Sequence, residues 1–323
     1  MSFISVLFAL LIEQARPLSR GNPIHAAMRA WIRWCTRSFD AGKHLHGWMA
    51  WSLAVGGPSV LALAIHWLLM IFVGWPLAVL WSATVLYATL GFRQFSSHFT
   101  QIRDALAEGD EPLARALLAN WQQVDARDMP CVELLGRVIE YSVLAAHRHV
   151  FGVLAWFSVL AAFGLGPMGA VLYRLGEFVV RYWAHQSEAH HQPVSAELQS
   201  NAAVAWRLID WLPARVTAIG FAVVGNFEEA IDGWRQYASQ TQASNDGLIL
   251  AATAGAVNIN LPTVGVQVPA AQPPQVMLGD VGVTTQHPAP ELSHLAIVVG
   301  LVWRTVVMWI VLLALLTLAR LLG

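Results

Sequence analysis

The sequence predicts an all-α, polytopic membrane protein with about four to six membrane helices and additional cytoplasmic helical segments. The chain is 56% hydrophobic and only 12% charged, whereas roughly a quarter of the residues in soluble domains are charged. Residues 48–90 contain no Asp, Glu, Lys or Arg, and residues 295–318 form an apolar run broken only by Arg304. Because a helix needs about 20 apolar residues to cross a bilayer, the first block predicts two crossings and the second predicts one.

The remaining composition narrows the class of protein further. Many of the 15 tryptophans lie at the edges of apolar runs, for example Trp34, Trp75 and Trp183, where indole rings would anchor the chain at the headgroup layer. The net charge of −1 and the lack of a dense basic run predict no nucleic-acid partner. Cys35 and Cys131 form no disulfide or metal pattern, so each is interpreted as a free thiol.

The N-terminal part predicts one short membrane segment, residues 1–13, followed by a cytoplasmic loop. The apolar stretch lacks a basic start and a small-residue cleavage pattern, so we expect a retained helix or re-entrant segment rather than a signal peptide. Six of the 19 basic residues follow it, and the positive-inside rule assigns this loop to the cytoplasm. They are Arg16, Arg20, Arg29, Arg33, Arg37 and Lys43.

Residues 48–90 predict a membrane hairpin that breaks at Val73-Gly74-Trp75-Pro76, because proline lacks a backbone donor and restricts the residue before it. The hairpin returns the chain to the cytoplasm, where residues 92–149 read as helices. Gly109 is expected to end the first of these helices, and Asp110 to cap the next. Cys131 to Ala146 is expected to form a further helix of this segment.

Residues 150–225 predict a second membrane region, with spans near residues 150–172 and 212–224. The latter contains Arg215, and an arginine at bilayer depth costs about 2.5–3.5 kcal/mol on insertion scales. The alternative is a helix that only dips into the membrane. If it crosses, residues 226–294 form a second cytoplasmic segment with a Pro-rich loop at 262–290, and residues 295–318 form the last membrane helix.

No local motif identifies a reaction. The sequence has no P-loop, no nucleophile elbow and no Cys-x-x-Cys, and it has one lysine, so arginines must bind any phosphate group. Arg148 and Arg215 are costly at the membrane, which makes them functional candidates. His185, His190 and His191 lack the spacing of a helical zinc pair, and His147 and His149 point roughly 200° apart around a helix. We therefore predict no metal site from the histidines.

Several strings occur together in a recognisable order, from residue 92 to residue 318. The most specific string is Trp211-Leu212-Pro213-Ala214-Arg215-Val216-Thr217. The others are Gly109-Asp110, Ala114-Arg115, Trp121, Asp125, Trp234-Arg235, Asn245, Ala254-Gly255-Ala256 and Gly279-Asp280. By these strings the chain resembles the CobD/CbiB family of cobalamin-biosynthesis membrane proteins, and also the related AmpE-like membrane proteins.

The resemblance implies a reaction, the joining of an aminopropanol or its phosphate to a carboxylate of adenosylcobyric acid at the bacterial inner membrane. ATP and Mg²⁺ would activate that carboxylate, and a corrinoid would be the substrate. The catalytic candidates carried over by motif are Asp110, Arg115, Arg215, Asn245 and Asp280. Arg148 and Arg174 are the candidates for cofactor binding, and no residue is assigned as a metal ligand. A membrane oligomer is a further possibility.

The chain departs from the family pattern where its acids would stand. The family element Glu-Asn-x-x-Asp-Gly corresponds here to residues 147–152, His-Arg-His-Val-Phe-Gly, and the run Lys-x-x-Asn-x-x-Asp corresponds to residues 174–180, which read Arg-Leu-Gly-Glu-Phe-Val-Val. Imidazole and phenyl are poor ligands for Mg²⁺. Three hypotheses therefore stand: a cobalamin-pathway membrane enzyme, an AmpE-like sensor or accessory protein of cell-wall and β-lactamase signalling, and a transporter or scaffold.

Overall fold

The computed structural model describes residues 2–15, 23–39, 44–122, 126–127, 129–189, 194–240, 243–261 and 288–322, and within them it contains helices and no strand. This confirms the all-α class. The helices are α1 (Ser2–Ala15), α2 (Pro23–Phe39), α3 (His44–Trp51), α4 (Gly57–Phe72), α5 (Trp75–Thr89), α6 (Phe92–Ala107), α7 (Glu111–Gln122), α8 (Cys131–Ala146), α9 (Gly152–Ala162), α10 (Met168–Ala189), α11 (Ala196–Val224), α12 (Phe227–Ala238), α13 (Asn245–Val257) and α14 (Leu292–Leu322). Two π-helical turns, π1 (Ser52–Gly56) and π2 (His147–Phe151), join α3 to α4 and α8 to α9.

Three helical stretches of the described chain are long and apolar enough to cross a membrane: Leu45–Phe72, Cys131–Ala162 and Leu292–Ala319. Two shorter apolar helices, Phe3–Ala15 and Trp75–Thr89, accompany them. The exposed apolar side chains agree with a lipid environment; Phe72, for example, is 78% exposed. The protein is therefore a helical membrane protein.

Within residues 48–90, α4 and α5 pack against each other as a helical hairpin. α4 ends at Phe72, and Gly74 adopts a φ of 104°, a backbone conformation that residues other than glycine rarely adopt. Across the hairpin, the Trp81 indole donates to the Ala62 carbonyl at 3.1 Å, and Ser82 Oγ lies 3.2 Å from His66 Nδ1. The turn chemistry at Gly74 and Pro76 thus sets the break, as the sequence indicates.

The helix boundaries differ from expectation at the third span. The sequence suggested a span over residues 150–172, but α9 ends at Ala162, and Gly164 and Gly166 both take positive φ before α10 begins at Met168. The long apolar helix instead runs from Cys131 to Ala162. Two glycines and Pro167 within one short stretch break the helix, although the stretch stays apolar.

Two tryptophans compensate for prolines inside the helical stretches. Proline lacks the N–H that would bond the carbonyl four residues earlier. The carbonyl four residues before Pro213 belongs to Ile209, and the Trp156 indole donates to it at 2.9 Å. The Ala54 carbonyl stands in the same relation to Pro58 and accepts from the Trp31 indole at 3.3 Å. Neighbouring helices thus satisfy backbone groups that lipid could not.

One tryptophan departs from the predicted interfacial position, whereas two others and both cysteines agree with the sequence-based predictions. Trp183 is fully buried, not interfacial, and its indole donates to Thr36 Oγ1 at 2.9 Å. Trp34 and Trp75 are 50% and 55% exposed, as interfacial anchors would be. Both cysteines are free thiols, and burial raises the pKa of Cys35 to about 11.

The described chain divides into two compact units. The first comprises Met1–Ser96, Ala145–Thr217 and Val306–Gly323; the second comprises Ser97–Leu144 and Ala218–Thr305. In the second unit, α12 packs against α13 through glycines, because a side chain at Gly255 would strike the Glu229 carbonyl. Gly109, at φ 78°, separates α6 from α7 as predicted, and Asp110 Oδ1 caps α7 by accepting from the Leu113 N–H at 3.0 Å.

Candidate functional site

A buried polar network surrounds the π-helical turn π2. His147 is fully buried, with its Nε2 2.8 Å from Asp210 Oδ1 and its Nδ1 2.9 Å from Thr217 Oγ1. The Tyr173 hydroxyl donates to Asp210 Oδ1 at 2.8 Å and lies 3.2 Å from His147 Nε2. Every side chain in this network is at most 2% exposed. Buried ionisable groups in membrane segments are rare, and π-helical turns often occur at functional sites, so we treat this network as part of the candidate site.

Gly152 allows the network to form. A Cβ at this position would overlap the ring of Tyr173, so only glycine leaves room for the tyrosine to reach Asp210. Gly152 is also the one residue of the family's Glu-Asn-x-x-Asp-Gly element that this chain keeps. The glycine therefore has a packing role here that does not depend on the lost acids.

A second cluster of polar residues lies on α10 and on π2. Glu177, which is buried, accepts from Arg174 Nη1 at 2.7 Å, and Arg181 Nε lies 2.7 Å from its other oxygen. Arg148 and His149 also interact electrostatically with Glu177. We call these five residues the arginine cluster. Three guanidinium groups around one carboxylate favour an anion, because guanidinium presents a planar fork of donors to carboxylate or phosphate.

His149 adds an unsatisfied group to the arginine cluster. Its Nδ1 is buried and has no hydrogen-bond partner within the described residues. Buried polar atoms are almost always hydrogen-bonded in proteins, so such an atom beside three arginines points to a ligand atom as its partner. His147 and His149 take part in different networks, as their angular separation in the sequence predicts.

The structure places the most specific family string next to π2. Asp210 immediately precedes the string Trp211–Thr217, and Thr217 is its last residue. Both side chains contact His147, so the two ends of the string lie next to π2. Arg215 stacks 4.0 Å above the Trp211 ring and donates to the Trp211 carbonyl at 2.9 Å. Arg215 thus lies on the helix that supports the network and interacts electrostatically with Asp210.

Three of the other predicted catalytic residues, Asp110, Arg115 and Asn245, belong to the second unit. Asp110 serves as the cap of α7, and Arg115 binds Glu111 at 2.7 Å and the Met129 carbonyl at 3.0 Å. Asn245 is the first residue of α13, after the capping Ser244. Asp280 and the Pro-rich loop at 262–287 lie outside the described residues. The structure therefore brings together Arg148 and Arg174, while Asp110 and Arg115 have evident structural roles.

The residues at the positions of the family's acids do not fit a Mg²⁺ ion. Mg²⁺ demands oxygen ligands in near-octahedral geometry. His147 and Phe151 stand at two of those positions, the Asp210 carboxylate pairs with His147, and the one carboxylate of the arginine cluster, Glu177, pairs with arginines. Within the described part of the chain, no group of three His, Cys, Asp or Glu side chains could hold a metal ion.

Sequence reasoning missed three residues of the network, namely Tyr173, Asp210 and Thr217. Asp210 carried a usable signal, because an acid between Ile209 and Trp211 in a predicted membrane region needs a partner. Thr217 follows Asp210 by seven positions, or about two helical turns, which places the two side chains on one helical face. Tyr173 had no such signal, since its role depends on the approach of α10 to Gly152.

Comparisons with known proteins agree with the resemblance. The model of the family described as CobD/Cbib protein matches residues 4–281. A protein named cobalamin biosynthesis protein CobD from Stutzerimonas stutzeri is 30% identical over 321 residues, covering 96% of each chain. Proteins of the same name from Chromobacterium violaceum and Leptospira interrogans are 29% and 27% identical and cover 65% and 58% of this chain, and 66% and 58% of their own lengths. No solved structure matches.

Proposed function

Because this chain belongs to the CobD/CbiB family, we propose that it is a multi-pass inner-membrane protein of bacterial cobalamin biosynthesis. The main support is the meeting of two family elements in one buried network, since Trp211–Thr217 contacts the turn at residues 147–152 through Thr217 and His147. At this position, where the family carries an acid, both ring nitrogens of the buried His147 have hydrogen-bond partners, as buried polar groups usually do.

The proposed ligand is a corrinoid that carries carboxylate groups, as the resemblance implies for adenosylcobyric acid. The arginine cluster suits a carboxylate or phosphate, because Arg148 and Arg174 add positive charge around the single carboxylate of Glu177. His149 Nδ1 would supply one more polar contact. The proposed role is to hold the anionic end of the substrate at the membrane while the amide bond to the aminopropanol forms.

The proposal includes no step that depends on Mg²⁺, because the described residues at the family's acid positions do not suit that ion. ATP is implied by the resemblance only, and its phosphates would have to use arginines. If the chain is a ligase, activation of the carboxylate must rely on groups other than those that the family places at residues 147–152.

Complementation tests the proposal. The chain is expressed in a bacterium that lacks its own CobD/CbiB protein, supplied with adenosylcobyric acid, on medium that requires cobalamin for growth. We expect growth from the wild-type chain, and at least tenfold slower cobalamin formation from Arg174→Gln and Arg215→Ala. Arg103→Ala is the matched control, because Arg103 is an exposed arginine that pairs with its neighbour Asp104.

Failure to grow, with the protein shown to be present in the membrane, would contradict the ligase role. It would favour the AmpE-like alternative, a non-catalytic accessory protein, which the loss of the family's acids also suits. Growth that is unaffected by Arg174→Gln would leave the pathway assignment intact and contradict the assigned role of the arginine cluster.

A further inference from the structure

The first unit contains an apolar pocket of about 360 Å³ between α2, α4, α5 and α10. This volume falls within the range of about 300–1,000 Å³ that is usual for small-molecule sites. Its wall is formed by apolar side chains, among them Trp31, Ile65, Trp81 and Phe178. α4 belongs to the candidate span Leu45–Phe72, so the pocket lies beside a membrane-crossing helix.

Three polar side chains of the pocket wall already donate to backbone carbonyls, and one charged residue, Arg174, completes the polar part of the wall. The indoles of Trp31 and Trp81 donate to the backbone carbonyls of Ala54 and Ala62, and Thr89 Oγ1 donates to Val85. Arg174 is the charged residue that lines the pocket. It also belongs to the arginine cluster, so the apolar wall leads directly to a group of three guanidiniums and one carboxylate.

α2, which forms one wall of the pocket, also carries three exposed arginines. Ala27, Met28 and Trp31 line the pocket, while Arg29, Arg33 and Arg37 are exposed at four-residue spacing on another face of the helix. Trp31 stacks on the half-exposed Trp34, with ring centroids 5.2 Å apart. Tryptophan and arginine on an amphipathic helix are typical of the boundary between acyl chains and anionic headgroups.

We propose that this pocket holds an anionic phospholipid, with an acyl chain against the apolar wall and its phosphate beside Arg174. An apolar pocket that ends in one arginine needs a ligand with both a hydrocarbon part and an anionic group. A lipid meets that need at this position, because the pocket opens at the exposed Leu61 of a membrane-crossing helix. The lipid phosphate would share Arg174 with the substrate proposed above, but lipid binding measured without a corrinoid succeeds or fails independently of the cobalamin function.

The test uses the purified full-length chain in detergent, mixed with phosphatidylglycerol and phosphatidylcholine of identical acyl chains. Native mass spectrometry counts the lipid that stays bound. We expect at least a tenfold preference for phosphatidylglycerol. Ala27→Trp and Ala88→Phe fill the pocket and should lower phosphatidylglycerol binding at least tenfold, and Arg174→Gln should lower it to the level of phosphatidylcholine.

Leu80→Trp is the matched control, because Leu80 is 61% exposed on α5 and does not line the pocket. It should bind phosphatidylglycerol as the wild type does. Equal binding of the two lipids by the wild type, or unchanged binding by both pocket-filling variants, would overturn the proposal. Glycerol phosphate has no acyl chain. If it displaced bound phosphatidylglycerol as effectively as added phosphatidylglycerol does, the proposal would also be overturned, since the site would then bind a free anion.

Discussion

The exposed fractions of the His147 and Asp210 side chains are 0% and 1%, so neither can exchange its partner for water. Asp210→Asn removes the charge but keeps the shape of the side chain. Because leaving a buried hydrogen-bonding group without its partner costs about 1–3 kcal/mol, we expect a loss of that order in the free energy of unfolding in detergent. Asp104→Asn is the control, with a side chain that is 52% exposed. Similar small losses for both variants would show that the network is not stabilising.

Trp156 and Pro213 allow a sharper test at the same scale. Trp156→Phe removes the donor to the Ile209 carbonyl and should cost about 1–3 kcal/mol, the usual penalty for an unsatisfied buried group. Pro213→Ala restores a backbone N–H that can bond that carbonyl. The loss caused by Trp156→Phe should therefore be smaller in the Pro213→Ala background, as measured by a double-mutant cycle of unfolding free energies. An equal loss in both backgrounds would refute the proposed compensation.

The sequence predicted elements well where turn chemistry decides the boundary. Gly74 with Pro76, and Gly109 with Asp110, marked breaks that the structure confirms. Residues 150–172 do not form one continuous helix as predicted. The residues around the turn at Gly164 and Gly166 are apolar, so hydropathy does not reveal the break. Contacts between helices could not be predicted from one sequence. The sequence marked His147 as a departure from the family pattern, but its partners Asp210 and Thr217 lie more than 60 residues away along the chain.

The end of α9 can be tested directly. Phe163 would lie inside a span over residues 150–172, but the structure places it just after α9, 75% exposed. In a chain without Cys35 and Cys131, we expect Phe163→Cys to react with a membrane-impermeant maleimide from one side of the membrane. Leu154→Cys, at a fully buried position of α9, should stay unlabelled until the protein is unfolded. Protection of Phe163→Cys from both sides would restore the sequence-based span.

At the scale of the whole molecule, the chain passes repeatedly between two units, and the candidate residues divide between them. Arg148, Arg174 and Arg215 lie in the first unit, whereas Asp110, Arg115 and Asn245 lie in the second. A motif order along the chain predicts which residues a family shares, but it does not predict which of them contact one another. This is why the sequence could nominate Arg148 and Arg174 yet could not identify Tyr173.

We expect the arginines of α2 to determine the orientation of the chain in the membrane. We expect α4 and α5 to return the chain to the side on which it entered, so the α6–α7 turn should share the cytoplasmic side with α2. Green fluorescent protein inserted between Gly109 and Asp110, an open turn, should fluoresce, and alkaline phosphatase at the same point should be inactive. Replacing Arg29, Arg33 and Arg37 by Glu should lower the fluorescence and raise phosphatase activity, because positive charge near a span retains it in the cytoplasm. Active phosphatase in the unmodified chain would place α6 and α7 outside the cytoplasm and reverse the predicted topology.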